Sequence, residues 1–156
     1  MTKILFVCLG NICRSPAAEG YMNHLIRKAN LTAKYNCESA GTSHYHEGEL
    51  PDQRMRKKAS QRGYRLESLA RQFDPQTDFT KYDHIIAMDR SNLRDILNED
   101  YNRAFSHKVQ LMGNFCTKFD IENVPDPYTG GEQGFDHVLD IIEDGCNEFL
   151  KKLNID

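Results

Sequence analysis

Apolar and polar residues alternate along the chain in two patterns, short segments with strand character and longer stretches with helical spacing. The short segments predict β-strands at residues 3–7, 36–39, 83–88 and 108–112. Helical spacing predicts a helix after residue 15 and further helices at 52–62 and 91–97. A long C-terminal helix is predicted by the spacing of Phe135, Val138, Leu139, Ile142, Cys146, Phe149, Leu150 and Leu153.

Strands that alternate with helices predict an α/β fold, with a parallel sheet and right-handed crossovers. Ligands of such sheets bind beyond the carboxyl ends of the strands. Cys8, which ends the first predicted strand, therefore lies where a ligand is expected. The 156 residues contain no linker, repeat or low-complexity tract, so we predict one domain over residues 1–156.

Charge and cysteine content exclude several classes of protein. The net charge of −3 and the pI of about 6.1 argue against nucleic acid as a partner. No apolar run approaches the ~20 residues that span a bilayer, and the N-terminus lacks a signal peptide pattern. Five cysteines without a secreted-type framework are typical of reduced thiols. We expect a cytoplasmic monomer without membrane contact.

The first predicted strand leads into residues 7–16, which read Val-Cys-Leu-Gly-Asn-Ile-Cys-Arg-Ser-Pro. Cys8 ends the strand, and Arg14 follows after five intervening residues. Gly10 and Asn11 tolerate unusual backbone dihedrals, so this loop can curl with its N–H groups towards one centre. Such a loop is an anion cradle with a nucleophile at its base.

The residues that follow the loop predict the start of a helix. Ser15 is predicted as its N-cap and Pro16 as its first residue. The positive end of a helix favours both a bound phosphate and the thiolate form of Cys8. Arg14 carries a planar fork of donors that can hold two phosphoryl oxygens. The Ser15 hydroxyl can also donate to the cysteine sulfur, although capping alone would explain a serine here.

Residues 7–16 resemble the phosphate-binding loop of the low molecular weight protein tyrosine phosphatases. Residues 124–128, Val-Pro-Asp-Pro-Tyr, resemble the loop that carries the general acid of that family. Further similar segments are 38–42, 70–72 and 87–92, so the resemblance covers nearly the whole chain. It implies a doubly wound, four-stranded parallel sheet flanked by helices, with the phosphate-binding loop after strand 1.

The resemblance implies a two-step hydrolysis through a phosphocysteine. Cys8 would be the nucleophile, Arg14 would stabilise the transferring phosphoryl group, and Asp126 would act as general acid and then as base. The phosphate-binding residues would be Leu9, Gly10, Asn11, Ile12, Cys13, Arg14 and Ser15. An Asp-Pro pair alone is more typical of an ordinary turn. Its joint occurrence with the cysteine loop favours the catalytic role, including an acid phosphatase activity.

The resemblance also assigns a substrate pocket. In the family, an apolar residue between the loop asparagine and the second cysteine favours phosphotyrosine, whereas threonine favours phosphoarginine. This chain has Ile12 there. Tyr45, with His46 beside it, and Tyr128 would form opposite aromatic walls, each worth about 1 kcal/mol beyond area burial. The alternative interpretation of Tyr45 is an exposed loop aromatic, but its alignment with the family and the expected position of its loop near the site favour the pocket role.

Further residues are expected to support the phosphate-binding loop, and the chain departs from the family pattern at Ser68. Ser39 is predicted to hydrogen-bond Asn11 and to hold its strained backbone. Ser68 stands where many members carry a histidine. In the family, a second loop cysteine, here Cys13, can form a reversible disulfide with the nucleophile. A small apolar filler is an equally good interpretation of Cys13.

The sequence predicts no cofactor and no metal, since the cysteines and histidines lack metal-ligand spacing. The predicted partners are phosphotyrosine-containing proteins. A thioredoxin-coupled arsenate reductase would need closely spaced relay cysteines, and none occur between Cys37 and Cys116. A protein arginine phosphatase is disfavoured by Ile12. A catalytically silent phosphotyrosine-binding module would lose the nucleophile or the acid, and both are present.

Overall fold

The computed structural model describes residues 1–127 and 131–155. Its sheet has four parallel strands in the order β2-β1-β3-β4. The strands are β1 (Thr2–Cys8), β2 (Tyr35–Gly41), β3 (His84–Ala87) and β4 (Val109–Leu111). The helices are α1 (Arg14–Lys28), α2 (Gln53–Gln61), α3 (Asp78–Lys81), α4 (Arg90–Asn98) and α5 (Gly131–Leu153), with 3-10 turns at Ser106–Lys108 and Met112–Phe115. The predicted doubly wound α/β fold is confirmed.

Strand β1 is apolar on both faces because it lies between two layers of helices. Ile4 and Phe6 belong to the core that α1 and α5 cover. Leu5 and Val7 belong to the second core, together with residues of α3 and α4. All four side chains are fully buried, and each such burial stabilises the fold by about 1.5–3 kcal/mol. The strand that ends at the predicted nucleophile is therefore firmly anchored.

The strand order means that the connections between strands change direction at the carboxyl end of β1. The chain leaves β1 towards β2 on one side, and β3 then pairs with the other side of β1. A crevice opens where neighbouring connections diverge in this way, and it is the usual ligand site of such sheets. The loop at residues 8–14 lies in this position, as the sequence predicts.

Helix α1 begins two residues earlier than predicted. Its N-cap position is Cys13, whose side chain makes no capping bond, and Arg14 is its first residue. The prediction of Ser15 as N-cap and Pro16 as first residue is therefore wrong. Pro16 is still tolerated, because N–H groups of the first turn have no intrahelical acceptor.

The short helix α3 was not predicted, because four residues give no helical period. It is held by the carboxylate of Asp78, which accepts the backbone N–H of Asp74 and two bonds from Arg71. In the described part of the chain, no helix has both the length and the hydropathy needed to cross a membrane.

Candidate active site

The loop between β1 and α1 takes its shape from one residue with a left-handed backbone. Asn11 has φ of 57°, a conformation that asparagine adopts more readily than most residues. Gly10, the other residue type in the loop that tolerates unusual dihedrals, does not have a positive φ. Instead, a Cβ on Gly10 would lie 3.0 Å from the ring of His46, so glycine allows that ring to pack against the loop.

The Asn11 side chain holds the strained backbone through three hydrogen bonds. Its amide nitrogen donates to the hydroxyls of Ser15 and Ser39, at 2.8 and 2.9 Å. Its carbonyl oxygen accepts the backbone N–H of Arg71 at 3.0 Å. The predicted bond between Ser39 and Asn11 is therefore present. The contact from Arg71 was not predicted, since it joins positions 60 residues apart.

The hydroxyl of Ser15 lies against the sulfur of Cys8, with 3.0 Å between oxygen and sulfur. Because Asn11 already donates to this oxygen, the hydroxyl proton is available for Cys8 or for the carbonyl of Ala40, which is 3.3 Å away. Donation to sulfur stabilises a thiolate more than a neutral thiol, because hydrogen bonds to charged groups are stronger. Both Cys8 and Ser15 are buried.

A partly buried carboxylate completes the support behind the loop. The Ser39 hydroxyl donates to Glu19 at 2.5 Å. Burial raises the pKa of Glu19, whereas the hydrogen bond from Ser39 acts in the opposite direction. Glu19 and Ser68 line one cavity of about 410 Å³ on this side of the loop. Hydrogen bonds thus run from Glu19 through Ser39, Asn11 and Ser15 to Cys8.

The loop N–H groups are available to a ligand. Within residues 1–127 and 131–155, those of Leu9, Gly10, Asn11 and Ile12 meet no acceptor. Unpaired N–H groups in a tight loop form an anion-binding concavity. The start of α1 adds the favourable end of a helix dipole.

The Arg14 side chain is buried and held on one side only. Its Nη1 donates to Asp89 at 2.7 Å and to the carbonyl of Val124 at 2.9 Å. In the described part of the chain, Nε and Nη2 have no partner. The fork of the guanidinium thus keeps two donors for a bidentate anion.

Asp126 lines the same cavity as Cys8 and Arg14, with a volume of about 360 Å³. The predicted residues Leu9, Gly10, Ile12, Cys13, Tyr45 and His46 also line it. Tyr128, predicted as the second aromatic wall, lies outside the described residues. A larger cavity of about 640 Å³ elsewhere has no cysteine or arginine in its lining, so chemistry rather than size identifies the candidate site.

Tyr45 is 80% exposed and stands at the rim of the cavity. Its ring meets that of His46 edge-on, with 4.8 Å between centroids. A carboxylate oxygen of Glu49 lies 3.0 Å from Nδ1 of His46, within hydrogen-bond distance. The Tyr45 ring is therefore exposed, as expected of a loop aromatic, and it also borders the site, as expected of a pocket wall.

Asp89 is a site residue for which the sequence analysis assigned no role. Its Oδ1 caps α4 by accepting the N–H of Asn92, while its Oδ2 holds Arg14. The spacing from Asp89 to Asn92 before a helical stretch is a capping signal. That signal predicts the helix start, but it does not predict which cation the second carboxylate oxygen binds.

Comparison with known protein families gives one match over almost the whole chain. Residues 3–156 match the family model described as low molecular weight phosphotyrosine protein phosphatase. A Synechocystis protein with the provisional name of low molecular weight protein-tyrosine-phosphatase is 52% identical over 151 residues. The alignment covers 97% of this chain and 96% of that protein.

Solved structures share the same fold along their full length. A protein tyrosine phosphatase from Entamoeba histolytica, with Hepes in its active site, has a TM-score of 0.95 and 47% identity; the match covers 99% of this chain and 98% of that one. An arginine phosphatase from Drosophila has a TM-score of 0.89 and 35% identity, with 98% of each chain covered. The solved structures with this fold therefore include one protein named as a tyrosine phosphatase and one named as an arginine phosphatase.

Proposed function

Because the chain belongs to the low molecular weight phosphotyrosine protein phosphatase family, and is thus a hydrolase, we propose that it hydrolyses phosphotyrosine in proteins through a phosphocysteine on Cys8. The observation that supports this most directly is the meeting of Cys8, Arg14 and Asp126 around one cavity. Cys8 and Arg14 share one loop, but Asp126 comes from a distant part of the chain, so its arrival at the same cavity is not a consequence of sequence proximity. We assign the whole activity to one domain, residues 1–156.

In the first step, the Cys8 thiolate attacks phosphorus, and a P–S bond forms as the bond to the tyrosyl oxygen breaks. The protonated carboxyl of Asp126 donates its proton to that oxygen, so neutral tyrosine leaves. Nε and Nη2 of Arg14 and the N–H groups of Leu9 to Ile12 stabilise the negative charge on the transferring phosphoryl oxygens.

In the second step, the Asp126 carboxylate accepts a proton from water while the water oxygen attacks phosphorus. The P–S bond breaks, and inorganic phosphate leaves. The Ser15 hydroxyl stabilises the departing Cys8 thiolate, which is the same contact that the resting enzyme makes. Asp126 must start each cycle protonated while Cys8 is ionised, so we expect highest activity in weakly acidic solution.

The test is phosphate release from a phosphotyrosine peptide under reducing conditions, at about pH 5 to 7 where both protonation states can coexist. Cys8→Ser should abolish release. Cys116→Ser is the matched control, since Cys116 is not among the residues that line the cavity of the site, and it should leave activity intact. Absence of hydrolysis by wild type would overturn the proposal.

A second candidate activity is the hydrolysis of phosphoarginine, favoured by the 0.89 TM-score of the Drosophila arginine phosphatase. Ile12 argues against it. This side chain is 7% exposed and lines the cavity, where it offers an apolar surface to a phenyl ring but no acceptor to a guanidinium group. We therefore propose phosphotyrosine as the preferred substrate and expect slower hydrolysis of phosphoarginine.

A further inference from the structure

The segment before Asp126 is tied to two other parts of the fold through its backbone. We call residues 122–127 the acid loop. The N–H of Val124 donates to the carbonyl of Met88 at 2.9 Å, and the carbonyl of Val124 accepts Nη1 of Arg14 at 2.9 Å. Val124 is buried. Both polar groups of this residue are thus fixed two positions before the general acid.

A second attachment of the acid loop is made by Arg90, the first residue of α4. Its backbone N–H donates to the side-chain oxygen of Asn123 at 2.9 Å. Its guanidinium binds both carboxylate oxygens of Glu122, with Nε at 2.8 Å and Nη2 at 2.7 Å. A bidentate pair fixes orientation as well as distance. The Arg90–Glu122 pair therefore ties the first residue of the acid loop to the N-terminal end of α4.

The position of Val124 is transmitted to Asp126 through a stiff connection. Pro125 fixes its own φ and restricts the backbone before it. On the far side, Pro127 is buried, and its carbonyl oxygen lies 3.2 Å from the place of a Cβ on Gly134 in α5. Asp126 is exposed between these two anchors, so the backbone on either side contributes to the direction of its carboxyl.

We propose that Arg90 and Glu122 are positioning residues for the general acid, acting through the acid loop without touching the substrate. This inference rests on the proposed function, because it gives Asp126 the role of proton donor. Arg90 and Glu122 are 58% and 57% exposed, and exposed ion pairs contribute little to folding stability. Loss of the pair should therefore affect the proton transfer and leave the fold intact.

The test separates leaving groups by their need for a proton. We would measure kcat/KM for phenyl phosphate, whose leaving group is strongly basic, and for 2,4-dinitrophenyl phosphate, whose leaving group departs without protonation. Arg90→Ala and Glu122→Ala should each lower kcat/KM for phenyl phosphate about tenfold, part of the ~10²–10⁴ that general acid catalysis supplies. For the dinitrophenyl ester, the change should stay under about twofold.

Controls separate positioning from a general loss of structure. Asp126→Asn removes the proton donor and should therefore give the largest difference between the losses of kcat/KM on the two esters. Arg94→Ala removes a positive charge from an exposed position of the same helix. It should leave kcat/KM unchanged for both substrates. The charge-exchanged double variant, Arg90→Glu with Glu122→Arg, should recover activity on phenyl phosphate, and thermal unfolding should show that every variant is folded.

Equal losses on both substrates, or no loss on either, would overturn the positioning role while leaving the proposed function in place. Failure of the charge-exchanged variant to recover any activity on phenyl phosphate would also count against the pair. A wild-type protein that hydrolyses neither ester would overturn the proposed function, and this inference with it.

Discussion

The hydroxyl oxygen of Ser15 lies 3.0 Å from the sulfur of Cys8, which lines the cavity of the site. The side-chain amide of Asn11 donates to the same oxygen, so the hydroxyl proton of Ser15 is directed away from Asn11. The Ser15 hydroxyl therefore contacts Cys8 and does not cap the helix.

Ser15→Ala should slow the second step more than the first. A hydrogen bond to a charged group is worth about 1.5–3 kcal/mol, so loss of the donor should reduce kcat between about tenfold and a hundredfold. Rapid-mixing kinetics with an aryl phosphate should then show a burst of phenol followed by slow turnover. Ser15→Thr keeps the hydroxyl and serves as control. A variant that loses the burst would place the serine in the first step instead.

Ile12→Thr should shift substrate choice towards phosphoarginine. The change removes apolar surface from the cavity and adds a hydroxyl that can bind a guanidinium group. The ratio of kcat/KM for phosphotyrosine to that for phosphoarginine should fall about tenfold or more. Ile12→Val, which shortens the side chain without adding polarity, is the control. An unchanged ratio in the threonine variant would show that another residue selects the substrate.

The pKa of Glu19 makes folding stability depend on pH. Burial raises this pKa above the ordinary value, so between the two values the folded protein binds more protons than the unfolded chain. The free energy of unfolding therefore falls as pH rises through that interval. Glu19→Gln keeps an acceptor for Ser39 and cannot ionise.

Urea unfolding of wild type and Glu19→Gln at several pH values tests this prediction. The stability of wild type relative to the variant should be greatest below the ordinary glutamate pKa and should decline above it. Glu67→Gln, at a largely exposed position, is the control. A relative stability that increases with pH would contradict the assigned direction.

Cys13→Ser tests the reversible disulfide. Cys8 and Cys13 line one cavity, and neither forms a disulfide in the structure. Hydrogen peroxide converts the Cys8 thiolate to a sulfenic acid, and the Cys13 thiol can then displace water from it to form a disulfide. Wild type should regain most activity with dithiothreitol after peroxide treatment, whereas Cys13→Ser should regain less. Equal recovery would favour the interpretation of Cys13 as an apolar filler.

The parts of the fold that sequence predicts are those with a repeated local signal. Strand β1 is a continuous apolar run, and α5 carries a regular helical stripe, so both were located within a few residues. Helix α3 has no such signal, because it depends on Asp78 binding Arg71 from outside the helix. Chain position alone does not specify that contact.

The residues of the site also fall into two groups, those that a local sequence motif predicts and those that it does not. A contiguous motif places Cys8 and Arg14 on one loop, and the resemblance adds Asp126. The partners of Arg14 could not be predicted, because Asp89 and the carbonyl of Val124 lie 75 and 110 residues away. Nor was the N-cap predicted correctly, since the Ser15 hydroxyl is oriented by Asn11 and not by the helix end.

The bonds from Arg14 to residues 89 and 124 have a consequence for synthesis in the cell. A nascent chain presents its N-terminal part first, so the reactive cysteine leaves the ribosome long before the acid loop exists. Until residue 124 is in place, the arginine lacks one of its two anchors, and the proton donor is absent. Under the proposed function, hydrolysis that depends on this proton donor therefore requires the acid loop to have been made, and a fragment that ends before residue 126 should not act on phosphotyrosine.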